Sequence, residues 1–205
     1  MPDLYPTPRA AFRRPEIVKL GGSLVSHPRL TAVLEALAER GAPLVLVAGG
    51  GPLADGVRAL QPRLSLSDAA CHRMAILAME QTAHAFADLM PSLVLADNPD
   101  AIAQAHGEGR AALWLPARMA LAARDLPESW ELTSDSLAAW LAVEIHAARL
   151  TLVKSLPTGG ATPDEWARAG LTDPLFPAFA ARFAGPVEVT TPEALLAGTK
   201  GSLAA

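Results

Sequence analysis

Short apolar blocks alternate along this chain with longer stretches whose apolar positions recur every three or four residues. The blocks at 16–20, 43–48, 92–96, 112–115, 150–154 and 187–190 read as buried strands. Between them, Leu30, Val33, Leu34 and Leu37 mark a helix over 30–40. A second helix is expected over 52–60, with Pro52 early in its first turn. The longest helical pattern runs over 67–90, with Ser67 as N-cap and Asp68 in the first turn. Further helices are expected over 98–106, 135–148, 163–170, 174–183 and 192–197. Strand and helix alternate without a hairpin turn signal. That pattern predicts an α/β domain, a three-layer αβα sandwich around a mostly parallel central sheet. Residues 1–15 hold prolines and little periodicity, so they read as a loose arm before a single domain over 16–205.

The 67–90 helix has apolar residues around much of its circumference, leaving a polar stripe at Arg73, Glu80, His84 and Asp88. Such a helix is covered on more than one side. Either it runs through one large core or a partner subunit covers it, and the second reading makes the chain at least a dimer.

Composition narrows the function. Hydrophobic residues make up 51% of the 205 residues and charged ones 19%, which excludes intrinsic disorder. Seventeen Lys and Arg stand against 21 Asp and Glu, so no basic excess exists to bind nucleic acid. One cysteine, Cys71, excludes an internal disulfide and a cysteine zinc cluster, and reads as a small core residue. No apolar stretch is long enough to span a membrane, and no apolar segment follows Arg13 and Arg14 as a secretory signal requires. The expectation is a soluble, cytoplasmic protein. Lysine is rare, limited to Lys19, Lys154 and Lys200 among many arginines, which singles these out as positions where a compact ammonium matters.

Ligands of open parallel sheets gather at the carboxyl ends of strands. Lys19 ends the first strand and Gly21, Gly22 and Ser23 follow, a set able to turn N–H groups, a hydroxyl and an ammonium toward one anion. Gly49, Gly50 and Gly51 end the second strand at a helix N-terminus, which favours negative charge. Three ordered glycines suit close ligand approach better than a plain turn. Asp55 and Arg58 follow on that helix, either reaching a second anion or forming a surface pair. Thr133, Ser134 and Asp135 open another helix, as caps or as nucleotide contacts, and Lys154 ends the next strand. Asp135 is placed to hold both lysines.

In this order the motifs resemble those of the amino acid kinase family, which includes acetylglutamate, uridylate, isopentenyl phosphate and aspartate kinases. Lys19-Leu20-Gly21-Gly22-Ser23 is similar to its first-strand motif and Gly49-Gly50-Gly51 to its second glycine loop. Thr133-Ser134-Asp135-Ser136-Leu137-Ala138-Ala139 resembles its nucleotide-side Asp motif, and Asp173-Pro174 the pair that closes the nucleotide pocket. The resemblance covers about residues 16–190. It implies catalysis by Lys19, Asp135 and Lys154, and ATP held by Lys19, Gly21, Gly22, Ser23, Thr133, Ser134 and Asp173. It further implies an acceptor site at Gly49, Gly50, Gly51, Asp55, Arg58 and His72. The short length and Leu126-Pro127-Glu128-Ser129-Trp130 resemble a branch that serves methanofuran-type cofactor synthesis. That likeness implies (aminomethyl)furanylmethyl phosphate as acceptor, with ATP and Mg²⁺; uridylate and other small phosphates are the alternatives. One departure is plain. Gly159-Gly160-Ala161 stands where larger relatives carry Gly-Gly-Met-x-x-Lys, so either Lys154 takes over that lysine's task or the nucleotide lobe is trimmed.

A phosphate monoester is already ionised near neutral pH, so such a transfer needs alignment and charge neutralisation rather than a strong base. No protein metal site is expected, since Mg²⁺ would ride on nucleotide oxygens. His72 has two readings, a packed side chain or an acceptor contact. His27, His84, His106 and His146 show no ligand spacing for zinc. Trp114, Trp130, Trp140 and Trp166 read as packing residues, with Trp130 near enough to the Asp motif to line the pocket. A rival class is a nucleotide- or oxyanion-binding protein without turnover.

Overall fold

The computed structural model describes residues 14–40, 43–156 and 159–202. Most of the expected N-terminal arm lies outside them. Its described end, Arg14, donates to the carbonyls of His146 and Ala147 at 2.8 and 2.9 Å, which ties the chain's entry to the strand it will pair with.

The central strand is β1 (Glu16–Leu20), a run of apolar residues broken by Lys19. It pairs in parallel with β2 (Leu44–Ala48) on one side and β5 (Arg149–Val153) on the other. β4 (Ala112–Trp114) and β3 (Val94–Ala96) extend the sheet beyond β2, and β6 (Val187–Thr190) extends it beyond β5. The order is β3-β4-β2-β1-β5-β6. A parallel sheet is covered on both faces, which is why its strands are continuous apolar runs rather than alternating ones.

Side chains alternate across that sheet, and two cores result. On one face Ile17, Val45, Val47, Leu150 and Leu152 pack with α6 (Ser134–Glu144), α8 (Phe176–Arg182) and α4 (Pro99–Gly107). On the other, Val18, Leu20, Leu44, Leu46 and Val153 pack against α1 (Leu30–Ala38) and the leucines of α9 (Pro192–Ser202). Three layers follow, as expected. Lys19 shares its face with Ile17, and that face is the one α6 covers.

The long helix α3 (Asp68–Leu89) starts at Ser67, whose hydroxyl accepts from Ala70 N–H at 3.2 Å. Its Ile76 and Met79 enter the first core, while Ala83 and Phe86 enter the second. At 1.5 Å per residue a helix of 22 residues reaches from one layer to the other. Much of its apolar girth is used within the chain, but Leu77 and Leu89 stay 45% and 49% exposed, and Arg73, His84 and Asp88 of the polar stripe stay exposed too. Glu80 does not. It accepts from the Ala117 N–H at 2.8 Å and so starts α5 (Ala117–Ala120), a turn that the hydrophobic pattern does not announce.

Other boundaries move for local reasons. α2 (Gly51–Leu64) runs past Leu60 with Pro62 in its last turn, at the cost of one intrahelical N–H bond, and Ser65 closes the helix at φ 52°. α6 stops at Glu144, four residues early, because His146 turns left-handed at φ 51° and Ala147 N–H reaches back to Ala142 at 2.8 Å. A 3₁₀ turn over Gly22–Ser26 follows β1 directly. No helix among the described residues is long and apolar enough to cross a membrane.

Candidate active site

β1 and β2 end level, with Leu20 opposite Ala48, so the glycine segments that follow leave the sheet side by side. The first residue of each segment extends the ladder. Gly21 N–H donates to Val153 at 3.0 Å and Gly49 N–H to Leu20 at 2.9 Å. Those two N–H groups are thus occupied, so the N–H contact with phosphate expected of Gly21 is not open to it.

Beyond them the two backbones touch. A Cβ on Gly22 would lie 2.6 Å from Gly51 N, and one on Gly49 would lie 2.6 Å from Gly22 N. Gly51 also sits at φ +52°, where side chains are strained. Gly49 and Gly51 are required first by this contact between loops, and Gly50 by Ala54, whose Cβ would lie 2.6 Å from one placed there. What remains free is a cradle: the N–H groups of Gly22, Ser23, Gly50 and Gly51 have no protein partner among the described residues, and all four residues line one cavity of about 310 Å³. Gly50 and Gly51 open α2, so its dipole adds to the attraction for an anion.

Beside this cradle lies a three-residue ionic cluster. Lys19 Nζ stands 2.8 Å from Asp135 Oδ1, and Lys154 Nζ donates to Oδ1 and Oδ2 of the same carboxylate at 2.8 and 2.7 Å. Lys19 is 3% exposed and Asp135 4%, so neither charge is tenable alone. Burial would raise the Asp135 carboxyl, but the Lys19 and Lys154 ammoniums outweigh it and hold the group below its ordinary value. Lys154 is pushed down to about 8 by burial and by Lys19, against the pull of Asp135. Two cations on one anion leave an excess positive charge, which suits a phosphate.

The cluster adjoins the cavity through its chain neighbours. Ser134, next to Asp135, lines the cavity; so does Ser23, whose hydroxyl meets that of Ser155, next to Lys154, at 2.9 Å. The start of α6 is fixed from a distance. Asp173 Oδ2 accepts from Thr133 N–H at 3.0 Å, Thr133 Oγ1 at 2.8 Å and Ser136 N–H at 3.0 Å, while Oδ1 accepts from Ser136 Oγ. Its carboxylate is used as the cap of α6, so Asp173 positions Asp135 and stands outside the cavity wall. Thr133, the residue at the N-cap position, makes no cap bond of its own.

The opposite wall comes from α2, α3 and the segment before α6. Asp55 and Arg58 line it, paired at 2.8 Å. The Arg58 guanidinium lies 4.4 Å from the Trp130 ring centre, and Trp130 Nε1 donates to Gln61 at 2.6 Å. Trp130 is thus a wall residue held in place from two sides. His72 also lines the cavity, 5% exposed; burial keeps its imidazole below the usual value, with Glu128 opposing and Arg73 adding. Ala75, Ile76, Met79, Leu132 and Leu137 complete an apolar lining, of which only Leu137 lies within a motif. Among them only Ile76 and Met79 belong to the apolar pattern of the 67–90 stretch, and that pattern marks core and pocket alike.

The cavity therefore brings together Gly22, Ser23, Gly50, Gly51, Asp55, Arg58, His72, Thr133 and Ser134. Lys19, Asp135 and Lys154 form the adjoining cluster, and Gly21, Gly49 and Asp173 support both. Gly160, in the segment that departs from the larger relatives, has φ +92° and accepts from Trp166 Nε1 at 3.1 Å, just before the capping box of α7 (Pro163–Arg168). That segment is built as a helix entry. Among the described residues no three His, Cys, Asp or Glu side chains converge as a metal site.

Unpaired loop N–H groups, two ammoniums on one carboxylate and the ends of a parallel sheet thus meet in one place in this α/β protein. Residues 15–157 match the amino acid kinase family, and the chain belongs to that family. It is 29% identical over 127 residues to (5-(aminomethyl)furan-3-yl)methyl phosphate kinase of Methanocaldococcus jannaschii. That match covers 61% of this chain and 58% of the relative, so it spans little more than half the relative's length. Among solved structures, uridylate kinase from Archaeoglobus fulgidus superposes with a TM-score of 0.66 at 18% identity, covering 91% of this chain and 95% of that one. UMP kinase from Ureaplasma parvum gives 0.69 at 14% identity, covering 92% and 95%. These two likenesses establish the fold.

Proposed function

We propose that this protein is an ATP-dependent kinase that phosphorylates a small phosphate monoester, with (aminomethyl)furanylmethyl phosphate as the acceptor and its diphosphate as the product. The observation that carries the reading is the single cavity in which free N–H groups of two glycine loops face one another beside the Lys19–Asp135–Lys154 cluster. The furan acceptor is favoured by the Methanocaldococcus jannaschii relative and by the Trp130 segment.

In this mechanism Gly22 and Ser23 hold the terminal phosphates of ATP, and Gly50 and Gly51 hold the acceptor phosphate. An acceptor oxygen attacks the γ-phosphorus, the bond to the β,γ-bridging oxygen breaks, and ADP leaves with that oxygen's electron pair. Lys19 and Lys154 neutralise charge on the equatorial oxygens, and Asp135 keeps both ammoniums in place. The acceptor arrives ionised, so no side chain needs to remove a proton. Mg²⁺, brought in with the nucleotide, would supply further charge neutralisation.

The test is ADP release with ATP–Mg²⁺ and a panel of acceptors: the furan phosphate, UMP and isopentenyl phosphate. Highest kcat/KM with the furan phosphate, and a diphosphate seen by phosphorus NMR, support the reading. Preference for UMP moves the assignment to uridylate. Nucleotide binding without ADP release from any acceptor points to a binding protein of the same fold.

A further inference from the structure

We infer that Asp55 reads a positive charge on the acceptor, making the site selective for a phosphate that also carries an ammonium group. The inference rests on the kinase reading above and extends it to specificity.

Asp55 is the sole carboxylate among the described side chains lining the cavity, whose other polar lining is cationic or neutral. A wall that received only an anionic phosphate would gain nothing from it, because like charge repels. The Asp55–Arg58 pair at 2.8 Å does not explain its presence through stability. The two side chains are 71% and 48% exposed, and exposed pairs contribute little. Arg58 has a second support, the Trp130 ring at 4.4 Å, so it keeps its place when its carboxylate partner is shared. Trp130 in turn is fixed by Gln61, whose side-chain NH₂ donates to Asp68 at 2.7 Å. The wall thus offers a preset anion next to a preset cation. A zwitterionic acceptor matches it by exchange: the ammonium meets Asp55, and the phosphate held by Gly50 and Gly51 also meets Arg58. A neutral-tailed phosphate matches only half of it.

The experiment uses the full chain, wild type and Asp55→Asn, with two acceptors that differ only in the charge. These are (aminomethyl)furanylmethyl phosphate and its analogue with methyl in place of aminomethyl. The readout is the ratio of kcat/KM for the amine acceptor to that for the methyl acceptor. Losing an ion pair to an exposed carboxylate should lower that ratio about two- to fivefold in Asp55→Asn, with Asp55→Glu recovering part of it. The ratio cancels any general damage to the site. An unchanged ratio, with the wild type turning over both furans, overturns the inference and leaves the kinase reading intact. A wild type that accepts UMP and neither furan overturns the proposed acceptor, and the inference with it.

Discussion

Replacing Asp135 by Asn keeps the size of the side chain and removes the one charge that makes the cluster tenable. Lys19 Nζ at 2.8 Å and Lys154 Nζ at 2.7 Å would then face each other with no anion between them. Breaking a buried pair by removing one partner costs about 3–5 kcal/mol. The folded chain has one relief available, which is to release the proton of Lys154. In the wild type that ammonium is already pushed down to about 8, and Asp135 is the group that pulls it upward. Without Asp135 it must fall below 8.

A lysine depressed in the folded state binds fewer protons than the unfolded chain between about 8 and its ordinary 10.5, so its contribution to stability improves as pH rises through that window. Activity runs the other way, because the ammonium is needed. Wild-type kcat/KM for ATP–Mg²⁺ should fall as pH rises through about 8. Asp135→Asn should move that limb to lower pH and reduce kcat at least about 10²-fold at its optimum. Lys154→Arg, whose guanidinium stays charged, should lose the limb. The assay is a pH–rate profile over the range where the protein stays folded, checked by circular dichroism. An Asp135→Asn profile with the wild-type limb and near-native kcat would refute the argument.

The remaining expectations concern the supports of the site. Asp173→Ala leaves four donors of Thr133 and Ser136 without their acceptor, two of them on the fully buried Ser136. It should lower stability by about 2–4 kcal/mol, read as a urea midpoint shift at constant slope, and lower kcat because Asp135 starts the same helix. A midpoint unchanged within error would mean that Asp173 does not hold the start of α6. Gly49→Ala puts a methyl 2.6 Å from Gly22 N and should abolish phosphate transfer and destabilise the fold. Gly56→Ala, a helical position with open space around its Cβ, should instead raise stability by about 0.5–1 kcal/mol without loss of turnover. Thermal melts separate the two, and equal effects would contradict the contact between the glycine loops.

How much of this is readable from the chain alone differs by element. The strands are, because a sheet buried on both faces writes itself as unbroken apolar runs. Lys19 is conspicuous for the same reason, as a charge within such a run. The capped start of α3 is visible at Ser67. The turn α5 is not, since its first N–H is satisfied by Glu80 from another helix. Nor is the early end of α6, where nothing at His146 marks a left-handed residue.

The identity and order of the candidate site groups follow from one-dimensional facts: which residues end a strand, which open a helix, and which kind of charge interrupts an apolar block. Which of them face a ligand and which serve the framework depends on contacts across long stretches of chain. Gly22 against Gly51, Asp173 beneath Thr133 and Ser136, and two lysines on one carboxylate are meetings of segments that local propensity does not relate. They arise because parallel neighbours in a twisted sheet end together, and burial then forces every charge and N–H at that edge to find a partner or a ligand.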